Sequence, residues 1–405
     1  MKRFVLIVCL LLAAALAFGG CSQQGSDAPT ESSGAEKIVA KVNGETITYD
    51  EYYTVLSQIL NYIGVSADSA DADYYKEDVV SQLVYEKVLR KKLTDEGYMN
   101  LTAEQNAQAE QNATESFKAY IESSYYDEIQ DMLGDDYTDA EYDVAVEKVM
   151  QEHLQEELDK AGMTWEELLD SYRLPIAEEA ARAELTADAV PTEDEVKKRY
   201  DEYVAADKAD MEEDPTVYES AVMDGTTIYY YVPGGLRLIK HVLIKIDEET
   251  SDAVALLRDN GFDAQADLLL ESALADIQAK ADELLAKIQS GEMTFDEAVA
   301  QYNEDIGMPE GGYPVSKDSG SYMEAFVTGA YALANVGDIS GLVATDYGYH
   351  ILLYAGDTVA GPVPYESVKD EIYETLKATL QSERWNEITD EWVAQSDVQF
   401  YPENY

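Results

Sequence analysis

The chain has 405 residues, of which 82 are Asp or Glu and 28 are Lys or Arg, so that its formal net charge at pH 7 is −54. So acidic a surface repels nucleic acid and anionic lipid headgroups, which excludes a nucleic-acid-binding protein and one held at a membrane by its own charge. Both cysteines lie within the first 21 residues, so the rest of the chain is predicted to be stabilised by burial rather than by disulfides.

Residues 1–20 have the pattern of a signal peptide. A short basic start precedes an apolar run at residues 4–18, which is too short for a comfortable transmembrane helix. The sequence that follows, Leu-Ala-Phe-Gly-Gly-Cys, resembles the lipobox of bacterial lipoproteins, and the resemblance implies cleavage before Cys21 and acylation of that residue. An ordinary signal peptide with a chance cysteine is the alternative. Residues 21–36 are rich in Ser, Gln, Gly and Asp and are predicted to form a flexible, lipid-anchored spacer.

Residues 37–225 are predicted to be mainly helical. A β-hairpin comes first, because alternating residues flank the pair Asn43-Gly44, which is typical of tight hairpin turns. Apolar residues at helical spacing then predict one helix after another. The first of these helices is predicted to carry five residues on one face: Tyr52, Val55, Leu56, Ile59 and Ile63. Many of the 31 tyrosines lie in this part of the chain, and they are more often core residues than a binding surface.

At residue 226 the pattern changes from helices to strands. Residues 227–232 and 236–246 are rich in strand-forming residues and are separated by Pro-Gly-Gly. Six further elements are predicted: a long helix with apolar positions from 270 to 288, a helix capped by Thr294, a short helix at 323–333, strands near 342–345 and 349–354, and a final helix from 365 to about 393.

The sequence contains three histidines. His153 lies in the polar helical region and is expected at the surface, whereas His241 and His350 fall in predicted strands. A histidine in a strand is more often a hydrogen-bonded core residue than a catalyst, so position alone leaves both interpretations open.

Residues 237–354 resemble a parvulin-type peptidyl-prolyl isomerase domain. The shared motifs, in chain order, are His241-Val242-Leu243, the turn at 291–298, Tyr302-Asn303-Glu304-Asp305, Gly311-Gly312 and the run from 326 to 350 that ends in Tyr-Gly-Tyr-His. The resemblance implies a catalytic centre of His241, Asp305 and His350. It also implies a proline-binding pocket made by Phe326, Met323, Tyr322 and Leu243.

The segment departs from the family pattern in three places. Tyr322 stands where a methionine or leucine is usual, and Pro314 where a leucine is common, so the pocket is expected to be reshaped. Residues 247–270 form an acidic insertion between the first strand and the long helix. Apart from these departures, family members that select phosphorylated targets carry basic residues after the first histidine. Here Lys245 is followed by acidic residues, so selection of phosphorylated targets is not expected.

The implied reaction needs neither cofactor nor metal, because rotation about an X-Pro bond breaks no covalent bond. The barrier comes from amide resonance and is about 18–20 kcal/mol. A catalyst must hold the proline ring in an apolar pocket and bind the twisted amide better than the planar one. Paired histidines beside a carboxylate can supply a fixed hydrogen-bond network for that purpose.

The flanks resemble the rest of a known architecture, because residues 39–45 and the helix after them are similar to the start of the PrsA and SurA foldases. The resemblance implies an α+β protein whose mainly helical chaperone domain is built from N- and C-terminal segments, residues 37–225 and 362–405. A parvulin-like domain at residues 226–361, a small, mostly antiparallel sheet surrounded by helices, would be inserted between them.

The predicted function is that of a foldase that isomerises X-Pro bonds in exported proteins at the extracytoplasmic face of a bacterial membrane. Its expected partners are unfolded or partly folded exported polypeptides and, through the lipid anchor, the membrane. The alternative is a membrane-anchored holdase with a weak or inactive parvulin domain. A solute-binding lipoprotein is a third interpretation, which the long helical half disfavours. The oligomeric state stays open, with a homodimer as one option.

Overall fold

The computed structural model describes residues 37–134 and 137–405, so the predicted signal peptide, the lipidation site Cys21 and the spacer lie outside the described residues. The chain forms two compact units: one contains the residues up to Val190 together with Lys377–Tyr405, and the other is Pro191–Leu376. The domain boundaries predicted at residues 225 and 361 differ from the limits of these units and stay a prediction. In the described ranges, no helix is both long enough and apolar enough to span a membrane.

The first unit is mainly helical, and local sequence signals explain where its helices begin. Four of its helices, α1 (Tyr49–Ile63), α3 (Ala103–Ser124), α5 (Asp139–Ala161) and α6 (Trp165–Leu185), each start with a capping box, in which a threonine hydroxyl and a Glu or Gln three residues later bond each other's backbone N–H groups. The elements of this unit, in chain order, are β1 Ile38–Val42, β2 Glu45–Thr48, α1 Tyr49–Ile63, α2 Asp73–Asp95, α3 Ala103–Ser124, α4 Tyr126–Leu133, α5 Asp139–Ala161 and α6 Trp165–Leu185.

A small sheet joins the two ends of the described chain in the first unit. The predicted hairpin is confirmed, because β1 pairs antiparallel with β2 across Asn43 and Gly44, which both have positive φ. The other edge of β1 pairs with β9 (Val398–Phe400), and the Tyr401 N–H donates to the carbonyl of Val39 at 2.9 Å. N- and C-terminal segments therefore fold together, as the predicted fold class requires.

The predicted apolar face of α1 is partly wrong. α1 buries Tyr52, Leu56 and Leu60, whereas Ile63 is 39% exposed. Ile63 is the last residue of the helix, and Gly64 follows it in the left-handed conformation. The chain turns away at that point, so a residue that continues the helical spacing no longer faces the core.

The second unit combines a four-stranded sheet with helices on both faces. Its elements are α7 Glu193–Glu213, α8 Thr216–Asp224, β3 Tyr231–Val232, β4 Arg237–Lys245, α9 Glu248–Asp259, α10 Asp263–Gln289, α11 Phe295–Tyr302, β5 Tyr313–Val315, α12 Glu324–Ala332, β6 Ile339–Thr345, β7 Gly348–Asp357 and β8 Gly361–Pro362. The last helix, α13 (Tyr365–Gln395), begins in this unit and continues into the first.

The strand predicted at residues 227–232 is wrong for most of its length, because only Tyr231–Val232 is a strand, paired with β8. Side chains bond the residues before it instead. The Asp224 carboxylate accepts the hydroxyls of Thr226 and Thr227 at 2.6 and 2.5 Å. Acceptors close by in sequence thus compete with a strand ladder, as expected for Asp and Thr in turns.

The main sheet has the strand order β5-β4-β7-β6, and its neighbours are antiparallel. Because side chains alternate along a strand, its two faces bury different residues. Val242, Ile244 and Ile351 pack with buried residues of α10 and α11. Ile239 and Leu352 face the opposite way and pack with α12. His241 shares the second face with Ile239, so the fold points it toward α12.

The acidic insertion at 247–270 forms α9 and the first turns of α10. Arg258 ties it to the turn between β6 and β7, since its guanidinium donates to Asp346 at 2.5 and 2.9 Å and to Asp267 at 3.0 Å. The insertion is therefore a packed helical layer that braces the β6–β7 turn.

Candidate active site

Two histidines from neighbouring strands form the centre of the site. In the β4–β7 register His241 lies opposite Leu352 and His350 opposite Leu243, so the histidines are diagonal neighbours on one face of the sheet. Their Nδ1 atoms are 2.8 Å apart, and their rings lie within 12° of parallel. Both side chains are buried, so this contact is a hydrogen bond shielded from water.

Asp305 completes the group predicted from sequence. Its Oδ2 lies 2.8 Å from His241 Nε2 and accepts the Tyr313 hydroxyl at 3.0 Å, while Oδ1 accepts the Gly307 N–H at 2.9 Å. The hydrogen bond with His241, aided by the other two donors, lowers the pKa of Asp305 to about 2 against the opposing effect of burial. Asp305 is therefore ionised at neutral pH and can only accept hydrogen bonds.

Asn303 and Glu304 hold Asp305 in position. After α11 ends, the Asn303 amide oxygen accepts the Leu243 N–H at 2.9 Å, and Glu304 N–H donates to the Leu243 carbonyl at 3.0 Å. The Glu304 carboxylate also accepts the Lys245 N–H at 2.6 Å. These residues provide hydrogen-bond partners for the backbone groups of β4 that lie beyond its pairing with β5. They also bring Asp305 next to His241, which is 64 residues away in sequence.

Close approach of two backbones explains the second glycine of the Gly-Gly motif. Gly312 has φ +87°, and a Cβ atom there would lie 2.7 Å from the carbonyl carbon and oxygen of Ile239. Only glycine fits this turn against β4 without displacement. The turn leads directly into β5, which carries Tyr313 to Asp305 and pairs Pro314 with Leu238 at the edge of the sheet.

Thr345 holds the second histidine from the far side. Its Oγ1 lies 2.8 Å from His350 Nε2, and both side chains are buried. Burial first, and the neighbouring His241 second, lower the pKa of His350 to about 3. His350 is therefore neutral at physiological pH.

The partners define how protons are distributed along this line of groups. Because ionised Asp305 only accepts, the Nε2 of His241 carries a proton. When His241 is neutral, its Nδ1 accepts from His350 Nδ1–H, and His350 Nε2 accepts from the Thr345 hydroxyl. When His241 is cationic, both of these bonds reverse direction. The network stays fully bonded in either state, which makes it a rigid platform.

Aromatic side chains build the wall next to the histidines. Phe326, on α12, presents an edge-to-face contact to both imidazoles, with ring centroids 5.5 Å from His241 and 5.4 Å from His350. Tyr322 stacks on Phe326 at 5.6 Å and lies 5.6 Å from Tyr313. An apolar wall beside a polar platform suits a ligand with a hydrocarbon ring next to an amide.

The remaining predicted pocket residues lie at two levels. Met323 is the N-cap of α12 and is partly exposed. Leu243 is 4% exposed and sits beside His350 across the β4–β7 pair. Contact of either with a substrate stays a prediction.

Sequence reasoning did not assign a role to Thr345, Tyr313 or Asn303. A signal existed for Thr345, since the hairpin register pairs it with Gly348 and brings it back toward His350. For His153, the surface expectation is wrong: its side chain is 22% exposed, stacks on Tyr125 at 4.1 Å and bonds Glu128 at 3.2 Å. Neither the site nor any other place in the described ranges groups three or more His, Cys, Asp or Glu side chains suited to a metal ion.

Comparisons with known proteins match two segments of the chain to family models. Residues 241–355 match the model of the PPIC-type PPIase (rotamase) domain, and residues 1–119 match that of the SurA-like N-terminal domain. A foldase protein PrsA of Clostridium botulinum is 22% identical over 417 residues, which cover 100% of this chain and 98% of the relative. Foldase protein PrsA 1 of Listeria monocytogenes is 31% identical over 120 residues, or 29% of this chain and 40% of the relative.

A solved structure of the peptidylprolyl isomerase PrsA from Bacillus cereus covers 89% of this chain and 92% of that chain, at 18% identity. Its TM-score is 0.20, too low to support any argument about how the parts are arranged.

The fold and the site define an isomerase domain of the parvulin class joined to a SurA-like helical segment. The chain as a whole is accordingly similar to the PrsA and SurA foldases.

Proposed function

We propose that this foldase catalyses cis–trans isomerisation of X-Pro bonds, with His241, Asp305 and His350 as its catalytic residues. Phe326 and Tyr322 are proposed to hold the proline ring. No bond is made or broken in this reaction, so the groups act by stabilising the twisted amide better than the planar one.

One observation carries the proposal: a fully hydrogen-bonded histidine pair lies directly against an aromatic wall. Asp305, ionised and 2.8 Å from His241, fixes that imidazole from one end, and Thr345 fixes His350 from the other. Preorganised dipoles of this kind stabilise a transition state without reorganising during the reaction. Because the pKa of His350 is so low, the pair is proposed to orient and polarise the site rather than transfer a proton.

The rest of the chain is proposed to present unfolded clients to this site. The helical segments 37–225 and 362–405 would form a chaperone domain, and Cys21 would carry a lipid that holds the protein at the extracytoplasmic face of the membrane. The high acidity supports a lipid anchor, because the net charge of −54 does not attract the chain to anionic headgroups. Emerging exported polypeptides are the proposed substrates.

The test compares isomerisation of a proline peptide by the wild-type chain and by His241→Ala, followed by exchange NMR or a protease-coupled assay. His153→Ala is the matched control, because it removes a partly buried histidine from the first unit. We expect His241→Ala to lower kcat/KM by about 10-fold or more and His153→Ala to leave it unchanged. Equal isomerisation rates for wild type and His241→Ala, both at background, would refute the proposed isomerase activity.

The holdase alternative makes a separate prediction. A protein that only holds clients would suppress aggregation of an unfolded protein equally well as wild type and as His241→Ala, with no isomerisation by either. The intact Asp305–His241–His350–Thr345 line favours the enzyme, because a silent domain has no need of three buried polar groups bonded in a line to a half-buried carboxylate.

A further inference from the structure

A buried glutamate outside the matched isomerase segment contacts the proposed pocket loop. Glu219 lies on α8, ahead of the first strand of the sheet, and its exposed fraction is 0%. Its carboxylate accepts hydrogen bonds from the Ser316 N–H and the Ser319 hydroxyl. Burial of a carboxylate is costly unless donors satisfy it, so these two bonds to residues about 100 positions away are a specific contact.

Both donors belong to the loop of residues 316–323, which runs from β5 to α12 and ends in Tyr322 and Met323. The loop is also bonded within itself and to α8: the Ser321 N–H donates to Ser319 Oγ at 3.2 Å, and the Ser321 and Ser220 hydroxyls are 3.3 Å apart. The loop therefore has its anchor in α8 rather than in the sheet.

A continuous set of contacts leads from this anchor to the histidines. Tyr322, at the end of the loop, stacks on Phe326, and Phe326 lies edge-on against His241 and His350. The Tyr322 hydroxyl is buried and has no hydrogen-bond partner among the described residues, so side-chain contacts and the loop backbone alone hold this ring. Any movement of the loop would move the pocket wall.

We propose that Glu219 is a positioning residue that fixes loop 316–323 and thereby sets the shape of the proline pocket. This inference rests on the proposed isomerase function. The carboxylate accepts the Ser316 N–H and the Ser319 hydroxyl. Through these bonds α8 contributes to the shape of the site. Substrate affinity should then depend on Glu219 more strongly than turnover does, because the histidine network is bonded independently of the loop.

The test uses the full-length chain with Glu219→Ala, Glu219→Gln and Ser319→Ala. Glu157→Gln is the matched control, since Glu157 is a buried, hydrogen-bonded glutamate of the first unit. Three measurements are made: an NMR titration for the Kd of a proline peptide, an isomerisation assay for kcat and KM, and amide hydrogen exchange across residues 191–376. The Kd and the exchange rates need no catalysis.

We expect Glu219→Ala to raise Kd and KM about tenfold while kcat changes less than about twofold. Glu219→Gln, which keeps one acceptor, should restore part of the affinity, and Ser319→Ala should show a smaller loss. Exchange should accelerate in residues 316–323, and Glu157→Gln should match wild type in all three measurements.

Wild-type Kd and loop exchange in Glu219→Ala would overturn the inference. So would faster exchange throughout residues 191–376, because that result would show a general loss of stability. If the wild-type chain binds the peptide but does not isomerise it above background, the proposed catalysis is refuted. The role of Glu219 is then decided by comparing the Kd of the wild type with that of Glu219→Ala. A wild-type chain that does not bind the peptide would refute both.

Discussion

Acidification is expected to destabilise the second unit through His350. Burial among Thr345, His241 and Phe326 lowers the pKa of this imidazole from 6.5 to about 3. Between these two values the unfolded chain binds a proton at His350 and the folded chain does not. The free energy of unfolding is therefore unaffected above pH 6.5 and falls as the pH drops below it.

The size of the effect follows from the same shift. Each pH unit within this range costs about 1.4 kcal/mol, so lowering the pH from 6.5 to 4 should remove about 3 kcal/mol. A typical domain has a stability of about 5–15 kcal/mol, so one residue could remove a large part of it. Asp305 adds little to the loss in this range, because a carboxyl whose pKa is lowered from 3.8 to about 2 loses its stabilising effect mainly as the pH falls below 3.8.

The assay must report on the second unit alone. The three tryptophans, Trp165, Trp385 and Trp392, all lie in the first unit. Tryptophan fluorescence would therefore report on unfolding of the first unit and not of the second. Amide hydrogen exchange in β4 and β7 measures the opening free energy of the second unit at each pH. Three histidines give a simple NMR spectrum, in which the His350 signal is assigned from its loss in His350→Gln.

Wild type should lose about 3 kcal/mol between pH 6.5 and 4, and His350→Gln should lose much less because the buried imidazole with the lowered pKa is then absent. His153→Gln is the control and should keep the wild-type slope. A His350 signal that titrates near pH 6.5, or equal slopes for wild type and His350→Gln, would contradict the argument.

Three further outcomes are expected. Thr345→Val leaves His350 Nε2 without its partner and should cost about 1–3 kcal/mol; Thr345→Ser should restore most of this in denaturant unfolding, and equal losses for both would exclude the hydroxyl as the cause. Gly348→Ala should destabilise the β6–β7 hairpin by at least about 2 kcal/mol, since φ is +137° and a Cβ would overlap the Ile244 carbonyl. Hydrogen exchange measures this loss. Gly341→Ala is the control and should be nearly neutral, because an added Cβ there would have no atom within 4 Å. Binding of a cationic unfolded client should weaken by about an order of magnitude from low to physiological salt, because the net charge is −54 and the Debye length falls to about 8 Å; an affinity independent of salt in a titration series would be inconsistent with an electrostatic contribution.

Local features of the chain were predictable because neighbours in sequence decide them. The Asn43-Gly44 hairpin and the cap at Thr294 occur as predicted, since each depends on residues within a few positions of each other. The sequence also indicated His241, Asp305 and His350, through ordered motifs spread over about 115 residues. Their mutual distances could not be derived from those motifs.

Tertiary structure decided the features that join distant residues. Residues 227–230 have a strand-like composition, but nearby carboxylates of α7 and α8 bond them instead. Likewise, the contact of Glu219 with Ser316 and Ser319 leaves no mark in local sequence, because its donors are about 100 residues away.

The sequence by itself indicated the fold class, most of the helices and strands, and the three polar residues at the centre of the site. Their periodicities and motifs are local or ordered along the chain. The tertiary structure alone decided that Thr345 and Asn303 complete the network and that α8 is bonded to loop 316–323. Those contacts exist only once strand register and helix packing have brought separate segments together, and burial then makes each unpaired polar group costly.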